Sequence, residues 1–293
     1  MIVLKEINQT KLILGTVQFG LNYGINNFFG KPTQKEVFEI LDVASEQSIE
    51  SLDTADAYGN AIEQIGLYHL QRNKRFKIQS KFTNVKLGDI FDKTLTSLNK
   101  LHIPHFEVYS YHSFADYLNH LYLKEELRSL KNNGLIKKIG ISVYTNIELQ
   151  NVIADNDIDV IQIPYNLLDN HNIRGSYINQ AKHNKKEIHV RSVFLQGLFF
   201  MDEFSIPEKL IPLKPYIRKI KSYCENESIN LLSLALSYAV YDKQIDHVLL
   251  GVDSAEHLLK DIESIVEIRN AFEYIDQNIK VKETELLNPV NWE

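Results

Sequence analysis

The sequence predicts an α/β protein, a (β/α)8 TIM barrel in one domain over residues 1–293, with extended loops over its C-terminal mouth. Three observations predict it. Eight short β-rich runs alternate with longer amphipathic stretches, the pattern of a parallel sheet with right-handed crossovers. Eight such units in 293 residues match the size and count of a closed barrel. The doubly wound alternative usually places GxGxxG after its first strand, but here that position reads Gly15-Thr16-Val17-Gln18-Phe19-Gly20.

The predicted strands are KLILGTV, SIESLDTA, RFKIQSKF, HFEVYSYH, KKIGISVY, DVIQIPYN, EIHVRSVF and DHVLLGV. Each is apolar with β-branched or aromatic residues, as strands covered on both faces tend to be. Between them lie helical patterns such as TQKEVFEILDVASEQ, LGDIFDKTLTSLNKL, LKEELRSLKNNG, NIELQNVIADN and SAEHLLKDIESI. Val37, Ile40, Leu41 and Ala44 form a helical apolar stripe. Thr33 followed by Glu36 is a capping-box start, and Gly134 is a stop signal. No Pro/Gly/Ser linker divides the chain. Two stretches, Phe19–Lys31 and Leu195–Tyr216, are too long and aromatic for plain connections. They follow strands 1 and 7, which puts them over the mouth as a lid, or as a satellite core built on Phe28, Phe29, Phe199, Phe200 and Phe204. The last segment, AFEYIDQNIKVKETELLNPVNWE, begins as a helix and ends in a tail.

Composition narrows the function. A net charge of −6 without a long lysine/arginine run argues against a nucleic-acid partner. The opening MIVLKEINQTKL lacks an apolar signal-peptide core, and no apolar run is long enough to span a membrane. The only cysteine, Cys224, has no internal partner for a disulfide, so a cytoplasmic protein is expected. Ten histidines without HExxH or close pairing argue against a metal enzyme.

Four residues at strand ends carry chemistry: Asp53, Tyr58, Lys81 and His112, in LDTADAYG, KIQSKF and EVYSYH. Hydride arrival at a carbonyl carbon builds negative charge on oxygen, which a positioned acid must neutralise. A phenol titrates near 10, and an ammonium such as Lys81 lowers that value. Asp53 is the natural counter-charge for Lys81, and a neutral His112 can orient or donate to the substrate oxygen. Each residue also has an ordinary explanation: a surface lysine, a helix-capping aspartate, a core histidine. The constellation is more specific than its members, because three separate segments must coincide.

LGTVQFG, LDTADAYGNAIEQIG, the SKF lysine, the YSYH histidine, GISVY, QIPYN and VRSVFLQGLF together resemble the aldo-keto reductase family, from about Leu14 to Ile262. The resemblance implies the barrel and an NADP(H) or NAD(H) cofactor bound without a Rossmann domain. It also implies Tyr58 as proton donor, Lys81 and Asp53 as its tuning pair, and His112 as the orienting group. Ser142 and Gln162 would hold the nicotinamide carboxamide, although Val143 stands where the family has asparagine. Arg191 and Ser192 stand where many members place a stacking aromatic. Gly15, Thr16, Gln196 and Gly197 would also touch the cofactor. Gly251, Val252, Asp253, Ser254, His257, Lys260 and Asp261 would form its adenosine end. The family's habit favours NADP(H), while His257 in place of arginine leaves NAD(H) open. Phe19, Tyr23, Tyr144, Asn166, Phe194 and Phe199 are candidate substrate-wall residues for a small carbonyl or alcohol, sugar-like by analogy. Arg191 would tolerate an acid or phosphate on it.

Two other readings remain at this stage. One is a lyase using Lys81 as a Schiff-base nucleophile. The other is a subunit that senses nicotinamide cofactor and reports to a protein partner.

Overall fold

A computed structural model describes residues 11–25, 27, 30–268 and 270–292. Residues 1–10 of the opening segment read for a signal peptide, together with Phe28 and Phe29, lie outside the described residues. Eight parallel strands close on themselves in sequence order, with β1 pairing β8. They are β1 (Leu12–Gly15), β2 (Ser51–Asp53), β3 (Lys77–Phe82), β4 (Phe106–Tyr111), β5 (Ile136–Ser142), β6 (Val160–Pro164), β7 (Glu187–Arg191) and β8 (His247–Gly251). The helices are α1 (Val17–Gly20), α2 (Gln34–Glu46), α3 (Ala61–Arg72), α4 (Ile90–Leu101), α5 (Phe114–Asn119), α6 (Lys124–Asn132), α7 (Asn146–Ile153), α8 (His171–His183), α9 (Lys214–Asn226), α10 (Leu231–Val240), α11 (Ala255–Glu263) and α12 (Ala271–Asn278).

The local signals act as expected. Thr33 accepts from the Glu36 amide while Glu36 Oε2 accepts from the Thr33 amide at 2.7 Å, a reciprocal cap for α2. The stripe Val37, Ile40, Leu41 and Ala44 is fully buried against the barrel. Gly134 takes φ +74° just beyond α6, the left-handed turn its position required.

The strands differ from expectation on one face. Residues in register across a parallel sheet point the same way, so Asp53, Gln79, Lys81, Ser110, Ser142, Gln162 and His189 share the barrel interior. That interior is polar and hydrogen-bonded: His189 Nδ1 lies 3.0 Å from Gln79 Oε1, and Lys138 bonds Glu187. The apolar residues alternating with them, including Leu14, Leu52, Ile78, Ile141, Ile161 and Val190, face the helices and are buried. Each fully buried aliphatic side chain contributes roughly 1.5–3 kcal/mol, so the outer shell stabilises the barrel while its interior carries polar groups. Among the described residues no helix is long and apolar enough to cross a membrane.

Candidate active site

Asp53 ends β2, Lys81 lies near the end of β3, and His112 follows β4, so the register delivers all three to the C-terminal mouth. Tyr58 stands on the loop between β2 and α3. The Lys81 ammonium forms a buried ion pair with Asp53, whose second oxygen accepts from Gln162 Nε2 at 3.0 Å. Lys81 Nζ is 5.3 Å from the centre of the Tyr58 ring. The Tyr58 and His112 rings meet edge to face, with centres 5.6 Å apart. All four side chains line one cavity of about 940 Å³.

The Tyr58 loop is fixed by a close backbone crossing. A Cβ on Gly20 would stand 1.7 Å from the Tyr58 carbonyl oxygen, and one on Gly59 2.4 Å from the Gly20 oxygen. Gly59 also takes φ +54°. Gly20→Ala must therefore push Tyr58 away from Lys81. The expected cost is about 1–3 kcal/mol of stability together with a fall in turnover, read by thermal unfolding and steady-state kinetics. Unaltered values for both would show that the crossing does not position the tyrosine.

The charges settle differently from the sequence expectation. Burial raises the Tyr58 phenol above its ordinary value, and attraction to Lys81 pulls it back only in part. Tyr58 therefore keeps its proton at neutral pH. Burial works to neutralise Lys81, but Asp53 and Tyr58 outweigh it and hold the amine above the ordinary lysine value, as ammonium. Burial, reinforced by repulsion from Lys81, pushes His112 down to about 4, so its ring is neutral, and its buried Nδ1 has no partner.

The cavity extends from these residues towards β8 and α11. Gly15, Thr16, Ser142, Gln162, Arg191, Ser192, Gln196, Gly197, Gly251, Val252, Asp253, His257, Lys260 and Asp261 line it. Ser254 does not: its hydroxyl caps α11 by accepting from the His257 amide at 3.1 Å. The donors and acceptors fit a nicotinamide dinucleotide. Gln162 Oε1 is buried without a partner beside Ser142, as an acceptor for a carboxamide NH2 would be. Gly251 leaves room that a Cβ would take from Gln18, 3.0 Å away. Asp253 bonds the His257 ring, and burial pushes Asp261 up to about 7. Among the described residues no cluster of His, Cys, Asp and Glu could hold a metal ion.

Tyr23, Tyr144 and Phe194 line the cavity, but three other substrate-wall candidates do not. Phe19 is buried in the apolar core, because the single turn of α1 presents Gln18 rather than Phe19 to the cavity. Asn166 is consumed structurally: its Nδ2 donates to Ser192 O at 3.1 Å and its Oδ1 accepts from the Leu168 and Asp169 amides. Phe199 is fully buried and anchors the long segment after β7. That segment therefore combines both expected roles. Phe199 packs inward, while Phe194 and Phe200 meet edge to face at the cavity, 5.5 Å between ring centres. Phe204 is 96% exposed and belongs to neither. Gln196 Nε2 reaches Tyr23 OH at 3.3 Å, joining the two long segments across the mouth.

Sequence reasoning missed Asn230, Leu231 and Leu232, which bring the start of α10 to the cavity, and Val290 from the tail. Asn230 accepts from the Leu232 amide at 2.8 Å, and an Asn before an apolar helical run was the available signal. Val290 carried none.

Comparison with known proteins agrees with this geometry. The Aldo/keto reductase family matches residues 11–278. An aldo-keto reductase of Bacillus subtilis (YhdN) is 25% identical over 193 residues, covering 61% of this chain and 56% of that protein. A D-arabinose 1-dehydrogenase of Saccharomyces cerevisiae is 25% identical over 260 residues, 78% of this chain and 76% of that one. The structure of an aldo-keto reductase from Bacillus halodurans superposes with a TM-score of 0.72 over 94% of both chains at 19% identity, a likeness of fold. With the family matching nearly the whole chain and Asp53, Tyr58, Lys81 and His112 gathered in one cavity, this protein belongs to the aldo/keto reductase family.

Proposed function

We propose that this chain is an NAD(P)(H)-dependent oxidoreductase that interconverts a carbonyl, whether aldehyde, ketone or sugar-type, and an alcohol. The observation that carries the reading is the shared cavity of Tyr58, His112 and the buried Lys81–Asp53 pair. When bound, the nicotinamide cofactor supplies or accepts the hydride. Tyr58 holds the proton that the nascent alkoxide takes, because burial keeps the phenol protonated. Lys81, fixed by Asp53, stabilises the phenolate left behind, and neutral His112 orients the carbonyl oxygen. The same ammonium disfavours the Schiff-base alternative, since a nucleophilic lysine needs a depressed pKa. Similarity to a protein named for D-arabinose supports a small sugar-like substrate.

At the adenosine end, two carboxylates, Asp253 and Asp261, stand with His257 and Lys260. An ionised Asp261 repels a 2′-phosphate, and its carboxyl titrates at about 7. Above that pH NAD(H) gains relative to NADP(H); below it NADP(H) gains. Titrating both cofactors at about pH 6 and about pH 8 by protein fluorescence and thermal shift tests both statements. The NADP(H)/NAD(H) affinity ratio is expected to rise severalfold on acidification. Asp261→Asn should flatten that rise. No response to either cofactor would overturn the functional reading itself.

A further inference from the structure

Besides Lys260 at the adenosine end, the cavity wall carries a cation near the reacting groups that the proton-transfer chemistry does not use. Arg191 stands at the end of β7, on the register that faces the barrel interior, where it is half-buried. Its guanidinium carbon lies 3.9 Å from the centre of the Tyr144 ring, so the planar group is stacked and its edge is held in place. Its hydrogen bonds are long ones, 3.4 Å to Ser192 Oγ and 3.4 Å to Val143 O.

The other cations of the centre are neutralised. Lys81 has Asp53, and Arg174 has both oxygens of Asp169 at 2.6 Å. Asp169 is close enough to feel the charge of Arg191, but Arg174 already occupies its carboxylate. Among the described residues no carboxylate oxygen lies within ion-pair distance of Arg191. With Lys81 and Asp53 cancelling and His112 and Tyr58 neutral, the centre keeps one uncompensated positive charge. A half-buried arginine with a stacked plane and unspent N–H donors is suited to a carboxylate or phosphate, which it can take through two parallel bonds. Arg191 lines the same cavity as Tyr58 and Tyr23, so an anion held by its guanidinium shares that cavity with the site of proton transfer.

We propose that Arg191, stacked on Tyr144, is a specificity-determining residue that holds a carboxylate or phosphate carried by the carbonyl substrate. The inference rests on the oxidoreductase reading above and names its substrate class: small anionic carbonyl compounds, such as 2-oxo acids or phosphorylated aldoses. The same chemistry is present in the pyrophosphate of the cofactor, and the experiment separates the two sources.

Matched pairs are compared by kcat/KM: glyoxylate against glycolaldehyde, and a phosphorylated against an unphosphorylated aldose. The anionic member is expected to lead by about tenfold or more for at least one pair. Arg191→Gln should collapse that ratio towards unity whatever it does to the common rate, and Arg191→Lys should fall between. A second readout needs no turnover. Oxalate or sulfate should stabilise the cofactor-loaded protein against heat, and should not stabilise loaded Arg191→Gln. Three results overturn the proposal: no anionic preference in the natural protein, a preference that survives Arg191→Gln, or a variant whose loss lies in affinity for the cofactor alone while the ratio stands. If neither cofactor binds and no carbonyl reacts, the oxidoreductase reading fails. The anion arm, run on the free protein, then decides whether Arg191 holds an anion at all, and no stabilisation there overturns the proposal as well.

Discussion

Tyr58→Phe is expected to lower turnover by on the order of 10²–10⁴-fold, the contribution of one positioned acid, while leaving cofactor affinity intact. The phenyl ring retains the apolar body of the tyrosine and its edge-to-face contact with His112, so the loop and cavity stay in place. What disappears is the hydroxyl that carries the transferable proton beside the Lys81 ammonium. The effect should therefore fall on kcat and kcat/KM together, as for a group used only in the transition state. Steady-state kinetics beside a cofactor titration check both halves. Undiminished turnover would remove Tyr58 from the donor role.

The second large effect concerns stability as well as rate. Lys81→Met leaves Asp53 with its side chain 5% exposed and Gln162 as its remaining polar partner, an uncompensated buried charge. The expected loss is roughly 3–5 kcal/mol, together with loss of turnover. Adding Asp53→Asn removes the orphaned charge and should restore much of the stability but none of the activity. Urea denaturation of the single and double variants measures this directly. Equal stability of Lys81→Met and the natural protein would mean that the ion pair is solvated and does not hold the catalytic geometry.

The barrel was legible because its cause is periodic. Eight apolar runs alternating with amphipathic helices leave few other ways to bury both. The polar interior was not legible, although its residues stand on alternate positions, Gln79 and Lys81 in KIQSKF and Ser110 in EVYSY. The aromatic and aliphatic neighbours that face the helices dominate those runs and made both faces look apolar. The four candidate residues were readable because each sits at or just beyond a strand end and their residue types combine into a single chemistry. Orientation within short or irregular segments was not. Phe19 and Gln18 are adjacent on one helical turn, and only packing decides which of them meets the cavity. Asn166 and Phe199 look like wall residues in sequence, but Asn166 bridges the ends of β6 and β7 and Phe199 plugs the core. The net state of Tyr58 was also misjudged: the neighbouring ammonium was visible in the pattern, whereas the larger effect of burial is a property of the closed cavity.

Proton delivery from Tyr58 coupled to hydride transfer from the cofactor is tested most directly by isotope. The protein is given reduced cofactor deuterated at the transferring ring carbon together with a carbonyl substrate, and the alcohol is weighed by mass spectrometry. Deuterium on the former carbonyl carbon, formed by the natural protein and nearly absent with Tyr58→Phe, is the predicted result. Product without deuterium, or equal labelling by the variant, would contradict it.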